Sequence, residues 1–524
     1  MALGLTPQEI VDKGEYQLLA KAGHWERISL SEVATIQNGF AFKSEYFERD
    51  NGMPLIRIRD ITKLETEHKF NGAYDENYVV QKGDILIGMD GDFTVSRWQG
   101  KDALLNQRVC RIKLKSDGYD EKFLFTCIQP YLDAINAETS SVTVKHLSSR
   151  SIEEIPLPLP PLDEQHRIVA KIEELFSELD KGIEALKTSR EQLKVYRQAV
   201  LKHAFEGKLT AQWREQNQDK LEPPEQLLAR IQQEREAHYQ QQLQDWKAAV
   251  KAWEKNGKEG KKPGKPRGPA APKSKTEYEI EVPREWTILE LEALAAESIL
   301  GKMLDKQKNK GVERPYLGNI NVRWGQFDLN NLKSMRIEEA EVERYSLKDG
   351  DLVICEGGEP GRCAVWQSQS TTAYIQKALH RVRFTESYNA KFAFYYLLYA
   401  TPLERVVNKF TGTTIKHLTG AGLNRIQFPV CSSIEQKELL SSLETKFSEI
   451  EALQKDLDNQ LERSETLRQS ILKKAFSGQL VPQDPNDEPA SALLERIRAE
   501  REEHPKNPRK AQRKKPLQKS VAHG

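Results

Sequence analysis

The sequence predicts two copies of a mixed α/β domain, each followed by a long α-helix, with the two helices paired as a coiled coil. The chain has 524 residues, and residues 144–209 align without a gap with residues 415–480, where 21 of the 66 aligned pairs are identical. Inside this repeat, apolar residues recur at seven-residue intervals, the spacing of a coiled-coil seam. Outside it, short strand-like runs alternate with turns. The repeat predicts a pseudo-two-fold molecule with two variable parts and two constant parts.

The variable parts cover 25–160 and 277–430 and are predicted to be mixed α/β domains. Strand-like runs bounded by glycine or polar turns occupy 85–89, 109–114, 352–355 and 380–384. The apolar run 392–400 is predicted to be a buried helix. The glycine-rich stretch 357–362 lacks the Lys-Ser/Thr end of a phosphate-binding loop, so it is predicted to be a hairpin turn.

The constant parts, 161–207 and 431–478, are predicted to be long helices. Ser432 and Glu435 have the spacing of a capping box, and Gly207 and Gly478 stand where helices stop. Two separate surface helices are the alternative, but about 44 residues at 1.5 Å each exceed the width of a small domain. The predicted seam consists of Ile172, Leu179, Leu186, Leu193 and Val200 in the first copy and Leu443, Ile450, Leu457 and Ile471 in the second. Leu175, Tyr196, Leu453 and Leu467 are expected between them.

The remaining segments are an N-terminal segment 1–24, a helical extension 208–254, a Lys/Pro/Gly linker 255–276 and a C-terminal segment 479–524 with a basic tail. Residues 255–275 hold eight Lys or Arg and one acid, and residues 505–524 hold seven Lys or Arg and no acid. Because the whole chain has a formal charge of only +1, the remainder is clearly acidic. The simplest interpretation of the first basic tract is a solvated linker. A nucleic-acid surface would have to be local or supplied by a partner.

The sequence offers no recognisable catalytic signature. It has no phosphate-binding loop of the G-x-x-x-x-G-K-[ST] type, no H-E-x-x-H and no G-x-S-x-G. The longest apolar run has nine residues, so we expect no membrane span, and no signal peptide is visible. Five cysteines without a C-x-x-C pair argue against disulfides or structural zinc and favour the cytoplasm. We therefore predict a non-catalytic protein without a metal, although a nuclease site of dispersed carboxylates stays open.

One stretch of the first copy resembles a known family. The run Leu-Pro-Leu-Pro-Pro-Leu-Asp-Glu-Gln at 157–165, then Ile-Glu-Glu-Leu-Phe-Ser-Glu-Leu-Asp at 172–180, is similar to the central conserved region of specificity subunits of type I restriction–modification systems. The run 196–209 fits the end of that region. The second copy departs from the pattern, because Pro160-Pro161 is replaced by Cys431-Ser432, while Glu435-Gln436 is retained.

The resemblance implies a DNA-sequence-specificity subunit without catalytic residues. Each variable part would be a target-recognition domain that reads one half of a bipartite target on double-stranded DNA. The constant helices would pair antiparallel, set the spacer and dock two modification (methyltransferase) subunits, and two restriction (translocase/nuclease) subunits would join. This chain would bind no cofactor, and S-adenosylmethionine, ATP and Mg²⁺ would be used by the partners.

The repeat also sorts the candidate DNA-binding residues. Two domains that read different sequences cannot share their base-reading side chains, so shared polar residues should serve the fold or the phosphates. The shared residues are Thr143, Lys145 and His146, which match Thr414, Lys416 and His417. A structural loop at the domain–helix junction is an equal alternative for them.

Base-edge candidates are Arg, Gln, Asn and Lys side chains of the divergent parts, since their forked or amide groups match guanine and adenine edges. They are Arg57, Arg59, Arg97, Gln107 and Arg108 in the first domain and Asn319, Asn321, Arg323, Arg362, Gln376 and Lys377 in the second. For each, an ordinary surface or salt-bridge role is the alternative. Gln107-Arg108 and Gln376-Lys377 precede aligned strands and are alternatively part of the frame. Arg111 and Lys113, with their counterparts Arg381 and Arg383, are expected on a solvated strand face or, alternatively, facing phosphate.

Two other classes of function remain possible from the sequence. One is a coiled-coil scaffold whose domains bind protein instead of DNA. The other is an enzyme in its own right, such as a nuclease.

Overall fold

The structure is a computed structural model that describes residues 5–139, 145–258, 262–269, 281–305, 307–367, 372–402, 410–411 and 416–503. The chain divides into two compact units. Unit 1 comprises Met1–Leu186 and Asn459–Gly524, and unit 2 comprises Lys187–Asp458. The predicted basic tail and parts of the predicted linker lie outside the described residues.

The first half of the chain builds one variable domain and the first long helix. Its elements are α1 (Pro7–Asp12), β1 (Glu26–Ser29), α2 (Leu30–Val33), β2 (Ala34–Asn38), β3 (Phe47–Glu48), β4 (Met53–Ile56), β5 (His68–Phe70), β6 (Val79–Val80), β7 (Ile85–Gly88), β8 (Val95–Arg97), β9 (Ala103–Leu105), β10 (Val109–Leu114), α3 (Glu121–Glu138), α4 (Ser149–Glu153), β11 (Pro156–Leu159) and α5 (Leu162–Phe205).

The second half follows the same general order and has three more helices. Its elements are α6 (Ala211–Gln216), α7 (Pro224–Lys255), β12 (Thr287–Glu290), α8 (Leu291–Leu294), β13 (Ala295–Leu300), β14 (Val312–Leu317), β15 (Val322–Arg323), β16 (Gln326–Phe327), β17 (Lys333–Ile337), α9 (Val342–Tyr345), β18 (Leu352–Cys355), β19 (Cys363–Val365), β20 (Tyr374–Ile375), β21 (Leu379–Phe384), α10 (Ala390–Ala400), α11 (Gly420–Asn424), β22 (Gln427–Val430), α12 (Ser433–Phe476) and α13 (Ala490–Glu503).

Each variable domain is built on an antiparallel four-stranded sheet with the same strand order. The order is β2-β10-β7-β8 in unit 1 and β13-β21-β18-β19 in unit 2. A second sheet stands beside each, β3-β5-β4-β9-β6 in unit 1 and β17-β14-β20 in unit 2, and each contains one parallel pair. In unit 1, α3 packs its apolar residues on the first sheet, and α10 does so in unit 2. The predicted mixed α/β class is confirmed, and 357–362 forms the predicted hairpin between β18 and β19.

The cationic stripe expected on the solvated face of β10 and β21 is wrong for two of its members. Arg111 is only 3% exposed, and its guanidinium donates to Asp84 at 2.8 Å and to Gln37 at 2.6 Å. Arg381 is 1% exposed and pairs with Glu297. Both arginines tie the strand to neighbouring loops, because a buried guanidinium requires hydrogen-bond partners. They are therefore part of the frame and face neither solvent nor phosphate.

The long helices α5 and α12 have 44 residues each. They end where the sequence predicted, because Gly207 and Gly478 adopt left-handed φ values of +69° and +70°. Only half of the predicted capping box forms: Ser432 Oγ accepts a hydrogen bond from the Glu435 amide at 3.3 Å. The Glu435 carboxylate instead accepts from Thr210 at 2.8 Å and Arg214 at 2.9 Å.

The two helices pair antiparallel in each unit. In unit 1 the Arg468 guanidinium lies 4.5 Å from the centre of the Phe176 ring, and in unit 2 Arg197 lies 4.7 Å from the Phe447 ring. Phe176 and Phe447 are equivalent positions of the repeat, and so are Arg197 and Arg468. In each unit the arginine of one copy therefore lies over the phenylalanine of the other copy. Arg190 and Asp458 form an ion pair at 3.6 Å further along the helices. The predicted antiparallel coiled coil is thus present.

The seam residues differ in burial along the helices. Ile172, Val200, Leu443, Ile450 and Ile471 are buried, while Leu179, Leu186, Leu193 and Leu457 are partly exposed. Tyr196, Leu453 and Leu467, expected between them, are instead about half exposed.

Candidate nucleic-acid interface

In unit 1, three loops meet at one end of the four-stranded sheet. The Met89 amide donates to the Arg108 carbonyl at 2.9 Å, and its own carbonyl accepts from Leu147 at 2.7 Å. The Gly91 amide donates to the Lys145 carbonyl at 3.1 Å. The β7–β8 turn is therefore held between the residue before β10 and the loop before α4. This arrangement brings together residues that are far apart in sequence.

The side chains at this end form a polar cluster around His146. His146 Nδ1 lies 2.6 Å from Asp90 Oδ1 and 3.1 Å from Arg108 Nη1. Arg108 Nε lies 3.6 Å from Asp90 Oδ2, and the Arg108 side chain is still 54% exposed. Arg108 also has a left-handed φ of +72°, which is uncommon for a residue with a side chain. Asp90 and His146 thus contact a guanidinium that is about half exposed.

Gln107 and Phe40 extend this cluster. The Phe40 amide donates to the Leu105 carbonyl, and the Phe40 carbonyl accepts from the Gln107 amide at 2.8 Å. Gln107 is exposed, and the Phe40 ring is 49% exposed. Gly39 makes this approach possible, because a Cβ there would lie 2.0 Å from the Asn106 carbonyl oxygen. We call Phe40, Gln107, Arg108 and His146 the unit 1 edge cluster.

Unit 2 builds the same frame with different side chains. The Lys302 amide donates to the Ile375 carbonyl, and its carbonyl accepts from the Lys377 amide at 2.8 Å. Gly301 precedes Lys302 as Gly39 precedes Phe40, and its Cβ would lie 2.4 Å from the Gln376 carbonyl oxygen. This hydrogen bonding sets the equivalences Phe40/Lys302, Asn106/Gln376, Gln107/Lys377 and Arg108/Ala378. The offset of 270 residues in the last three pairs is the same as in the sequence pairing of Arg111 with Arg381 and of Lys113 with Arg383.

The exposed residues of unit 2 at this end include Lys377, Lys416 and His417. His417 exchanges backbone hydrogen bonds with Thr411 at 2.8 Å, and its ring lies against Gly357. Arg323 is also exposed. We call Arg323, Lys377, Lys416 and His417 the unit 2 edge residues.

Several other sequence candidates are held by internal hydrogen bonds. Asn321 is buried, and its side chain bonds the Gly318 amide and the Asp328 carbonyl, both at 3.0 Å. Arg362 is 15% exposed and donates to Glu359 at 2.8 Å and to the Asn319 carbonyl at 2.9 Å. Asn319 donates to the Gly357 carbonyl, and Gln376 accepts from the Ala378 amide. These four side chains stabilise loops, and base contact would first require breaking those bonds.

The remaining DNA-binding candidates of unit 1 lie apart from the edge cluster or are held by contacts to other residues. Arg97 pairs with Glu121 on α3 and covers the Phe125 ring at 5.3 Å. Arg59 is exposed and lies 3.5 Å from Glu67, and Arg57 is half-buried. The Lys145 ammonium donates to Asn136 Oδ1 at 3.0 Å, so this shared lysine supports the loop. Thr143 and Thr414 lie outside the described residues.

Sequence reasoning missed Phe40, together with the exposed apolar residues Met303, Leu304 and Ile320 of unit 2. Gly39 and Gly301, which precede Phe40 and Lys302, were the sequence feature that could have indicated these positions. Both copies need a glycine there because the backbone passes close to the carbonyl of Asn106 or Gln376. Exposed apolar groups beside amide and cationic donors suit the methyl group of thymine as well as base edges.

The described residues contain no group of three or more His, Cys, Asp or Glu placed to hold a metal ion. Among the helices that the structure describes, none is long and apolar enough to cross a membrane.

Comparison with known proteins gives one consistent family. A family model described as the type I restriction modification DNA specificity domain matches residues 23–188 and 283–463. The type I restriction enzyme EcoBI specificity subunit of Escherichia coli is 31% identical over 527 residues, covering 96% of this chain and 97% of the relative. The EcoKI specificity subunit of Escherichia coli strain K12 is 25% identical and covers 91% and 95%. A solved chain of a type I R-M system has the same fold, with a TM-score of 0.60 and 16% identity over 88% of this chain and 99% of that one.

Proposed function

The chain belongs to the family of type I restriction–modification specificity subunits, and from this premise we propose that its two units each read one half of a bipartite DNA target. The observation that carries the proposal is the shared frame with divergent side chains. The same backbone hydrogen bonds present Gln107 and Arg108 in unit 1 but Lys377 and Ala378 in unit 2. A reader of two different half-sites needs this combination, because the fold must be kept while the donors at the base edges change.

The roles within the proposal follow the chemistry of the side chains. Arg108, oriented by Asp90, presents the paired donors that suit guanine O6 and N7. Gln107 presents an amide that can donate and accept at adenine. The shared His146 and His417 belong to the frame, since an identical residue cannot distinguish two sequences. The paired helices would set the spacer and dock two modification subunits, and two restriction subunits would complete the assembly.

In this proposal the chain has no catalytic activity of its own. S-adenosylmethionine, ATP and Mg²⁺ would be bound by the partners, and this subunit would bind only DNA and protein. Incubating the purified chain with Mg²⁺ and plasmid DNA tests this directly. Cleavage without partners would contradict a non-catalytic role.

Methylation mapping of reciprocal variants tests the reading itself. The chain would be expressed with its modification subunits, and methylated adenines would be mapped genome-wide. Gln107→Ala with Arg108→Ala should relax one half-site, at a cost of about 1–3 kcal/mol per lost bidentate contact. Lys377→Ala should affect only the other half-site.

The two variants are matched controls for each other. A change in both halves from either variant would contradict separate reading. A uniform loss of methylation with both half-sites intact would assign these residues to phosphate contact and leave the base readers elsewhere. Solution mass of the assembly tests the partners, and a complex that never adds a second modification subunit at saturation would contradict the two-fold docking.

A further inference from the structure

The segment that follows the first long helix forms an arm with a reversal at its end. Helix α7 runs over Pro224–Lys255, and Gly257 and Lys258 then adopt left-handed φ values of +73° and +64°. The Lys258 amide donates to the Trp253 carbonyl at 2.9 Å. Two consecutive left-handed residues end the helix and turn the chain back.

The returning segment 262–269 lies along the helix it has just left. Trp246 Nε1 donates to the Pro263 carbonyl at 3.0 Å. Further along, a Cβ on Gly268 would lie 3.5 Å from the Tyr239 ring. Later residues of the segment therefore contact earlier residues of α7, so the two strands of chain run antiparallel. We call residues 239–258 and 262–269 the arm. The sequence predicted a solvated linker over 255–276, and its described residues 262–269 are largely exposed but lie against α7.

The arm is strongly and one-sidedly charged. The arm contains two acids, Asp245 and Glu254, and seven cations, all exposed. The cations are Lys247, Lys251, Lys255, Lys258, Lys262, Lys265 and Arg267. Within the part of the chain that the structure describes, none of the seven forms an ion pair. By contrast, many exposed lysines elsewhere, such as Lys194 with Glu191 at 2.8 Å, have an acidic neighbour.

The geometry of the lysines presents this charge along a line. Lys247, Lys251 and Lys255 are four residues apart, so they lie on one face of α7 at intervals of about 6 Å. Like charges at this spacing destabilise an isolated helix. The contact at Trp246 holds Lys262 and Lys265 beside the same helix. A helix that keeps this repulsion, with Glu254 as the one acid among the three lysines, fits an external polyanion.

The position of the charge recurs in the repeat. The first turns of α13 match those of α7, since Leu227, Arg230 and Ile231 correspond to Leu493, Arg496 and Ile497. Arg230 pairs with Glu222 at 2.6 Å, and Arg496 pairs with Glu488 at 2.9 Å. The sequence after α13 is again basic, with seven Lys or Arg and no acid in 505–524. In both copies the basic residues thus follow the matched helical turns, while the rest of the chain is acidic.

We propose that the arm binds the phosphate backbone of duplex DNA outside the recognised bases. The inference rests on the proposed function, which supplies duplex DNA as the polyanion present in the complex. Lysine ammonium groups suit this task because they contact phosphates as point charges without reading sequence. The arm would add affinity to any duplex long enough to reach it and would leave the half-sites unchanged.

Salt dependence of binding tests the proposal in the complex with the modification subunits. The variant K247Q/K251Q/K255Q removes three charges and keeps good helix formers, while K247R/K251R/K255R keeps the charge. Each phosphate contact contributes about 0.9 to the slope of log affinity against log salt. Between 50 and 200 mM salt, the unmodified complex should therefore lose up to about 40-fold more affinity than the glutamine variant. The arginine variant should behave like the unmodified complex, and E254Q should bind at least as tightly.

The outcomes separate this proposal from the one on which it rests. A glutamine variant with an unchanged salt slope overturns DNA contact by the arm. A variant that loses its modification subunits without DNA, with the slope intact, shows that the arm binds an acidic protein surface and equally overturns the proposal. Methylation mapping of the same variant should return both half-sites unchanged. If the unmodified complex shows no sequence-specific methylation, the proposed function fails, whatever the slope of the arm variant.

Discussion

At the scale of single residues, Gln165 and Gln436 fasten the start of each long helix to its domain. The Gln436 side chain accepts from the Asn389 amide at 2.9 Å and donates to the carbonyls of Ser387 and Cys431 at 3.0 and 2.9 Å. Gln165 makes the equivalent bonds to Asp120, Gly118 and Pro160. The retained Glu-Gln pair of the repeat therefore serves the fold, since three backbone groups depend on one buried amide.

We expect Gln436→Ala to destabilise unit 2 by about 2–4 kcal/mol, because it leaves buried donors and acceptors without partners. Hydrogen exchange of peptides around Ser387–Asn389 would measure the loss locally. Lys437→Ala, at the exposed neighbouring position, is the matched control and should change little. Equal exchange in the two variants would show that the amide is dispensable.

His380 makes strand β21 of unit 2 sensitive to acid at a position where β10 of unit 1 has a cysteine. Its Nε2 lies 2.7 Å from the Leu418 carbonyl, and burial lowers the pKa of the imidazole. The equivalent residue of β10 is Cys110, which does not gain a proton. The folded state therefore binds fewer protons than the unfolded state, whose histidine has a pKa of about 6.5. The contribution of the neutral His380 imidazole to the free energy of unfolding is therefore complete above about pH 6.5 and declines as the pH falls below that value.

We expect hydrogen exchange of β21 to accelerate relative to β10 as the pH is lowered from about 7 to 5, after correction for intrinsic exchange. His380→Gln keeps an N–H donor but cannot be protonated in this range, so it should remove the difference. An acid response of β21 that persists in His380→Gln would place its cause elsewhere in unit 2.

At the scale of elements, the glycines that end the long helices also seat the next part of the chain. A Cβ on Gly207 would lie 2.2 Å from the Pro283 side chain, and one on Gly478 would lie 2.6 Å from Ala22. Each glycine thus combines a left-handed φ with a close contact just before the tryptophan that opens a domain, Trp286 or Trp25.

Gly207→Ala and Gly478→Ala should each cost more than about 1 kcal/mol, because backbone strain adds to the clash. Gly182→Ala is the opposite control, since Gly182 lies within α5 with open space around it. That substitution should stabilise the helix by up to about 1 kcal/mol. Thermal unfolding of the three variants measures the contrast, and a tolerated Gly207→Ala would contradict the seating contact.

An element could be predicted from the sequence where a chemically distinctive residue marks it. The ends of α5 and α12 were predictable because Gly207 and Gly478 are chemically distinctive. Among the alternate seam positions, Leu175 packs against the core of unit 1 as predicted, but Arg197 and Arg468 lie over Phe447 and Phe176 next to two of the others. A pattern of apolar residues cannot detect an arginine in the seam, so it selects the neighbouring Tyr196 and Leu467, which are about half exposed.

The sheet edges show a second limit of prediction from sequence, which is that contacts between distant segments leave no local pattern. Burial of Arg111 depends on Asp84 and Gln37, which only the folded sheet brings to it. The approach of Phe40 to Gln107, and of Lys302 to Lys377, likewise depends on backbone hydrogen bonds between segments that are distant in sequence. Base-reading residues are the least predictable, because they are the positions where the two copies differ.

At the scale of the whole molecule, the duplicated helices offer a test of the spacer role. In the complex with the modification subunits, helix length should set the number of base pairs between the half-sites. Arg190 contacts Asp458, so insertions after Ser189 and after Asp458 fall at the same level of the antiparallel pair. Lengthening both helices together therefore keeps their partners matched. The half-sites themselves should not change, because the edge cluster of unit 1 and the edge residues of unit 2 lie off the helices.

Four residues inserted at both places add about 6 Å and turn the later seam by only about 40°, so pairing should survive. At about 3.4 Å per base pair, the spacer should lengthen by one or two pairs. Seven residues preserve the heptad and should add about three pairs. Two residues turn the seam by about 200° and should abolish methylation through lost pairing. Methylation mapping reads all three variants, and an active four- or seven-residue variant with the original spacer would show that these helices are not the ruler.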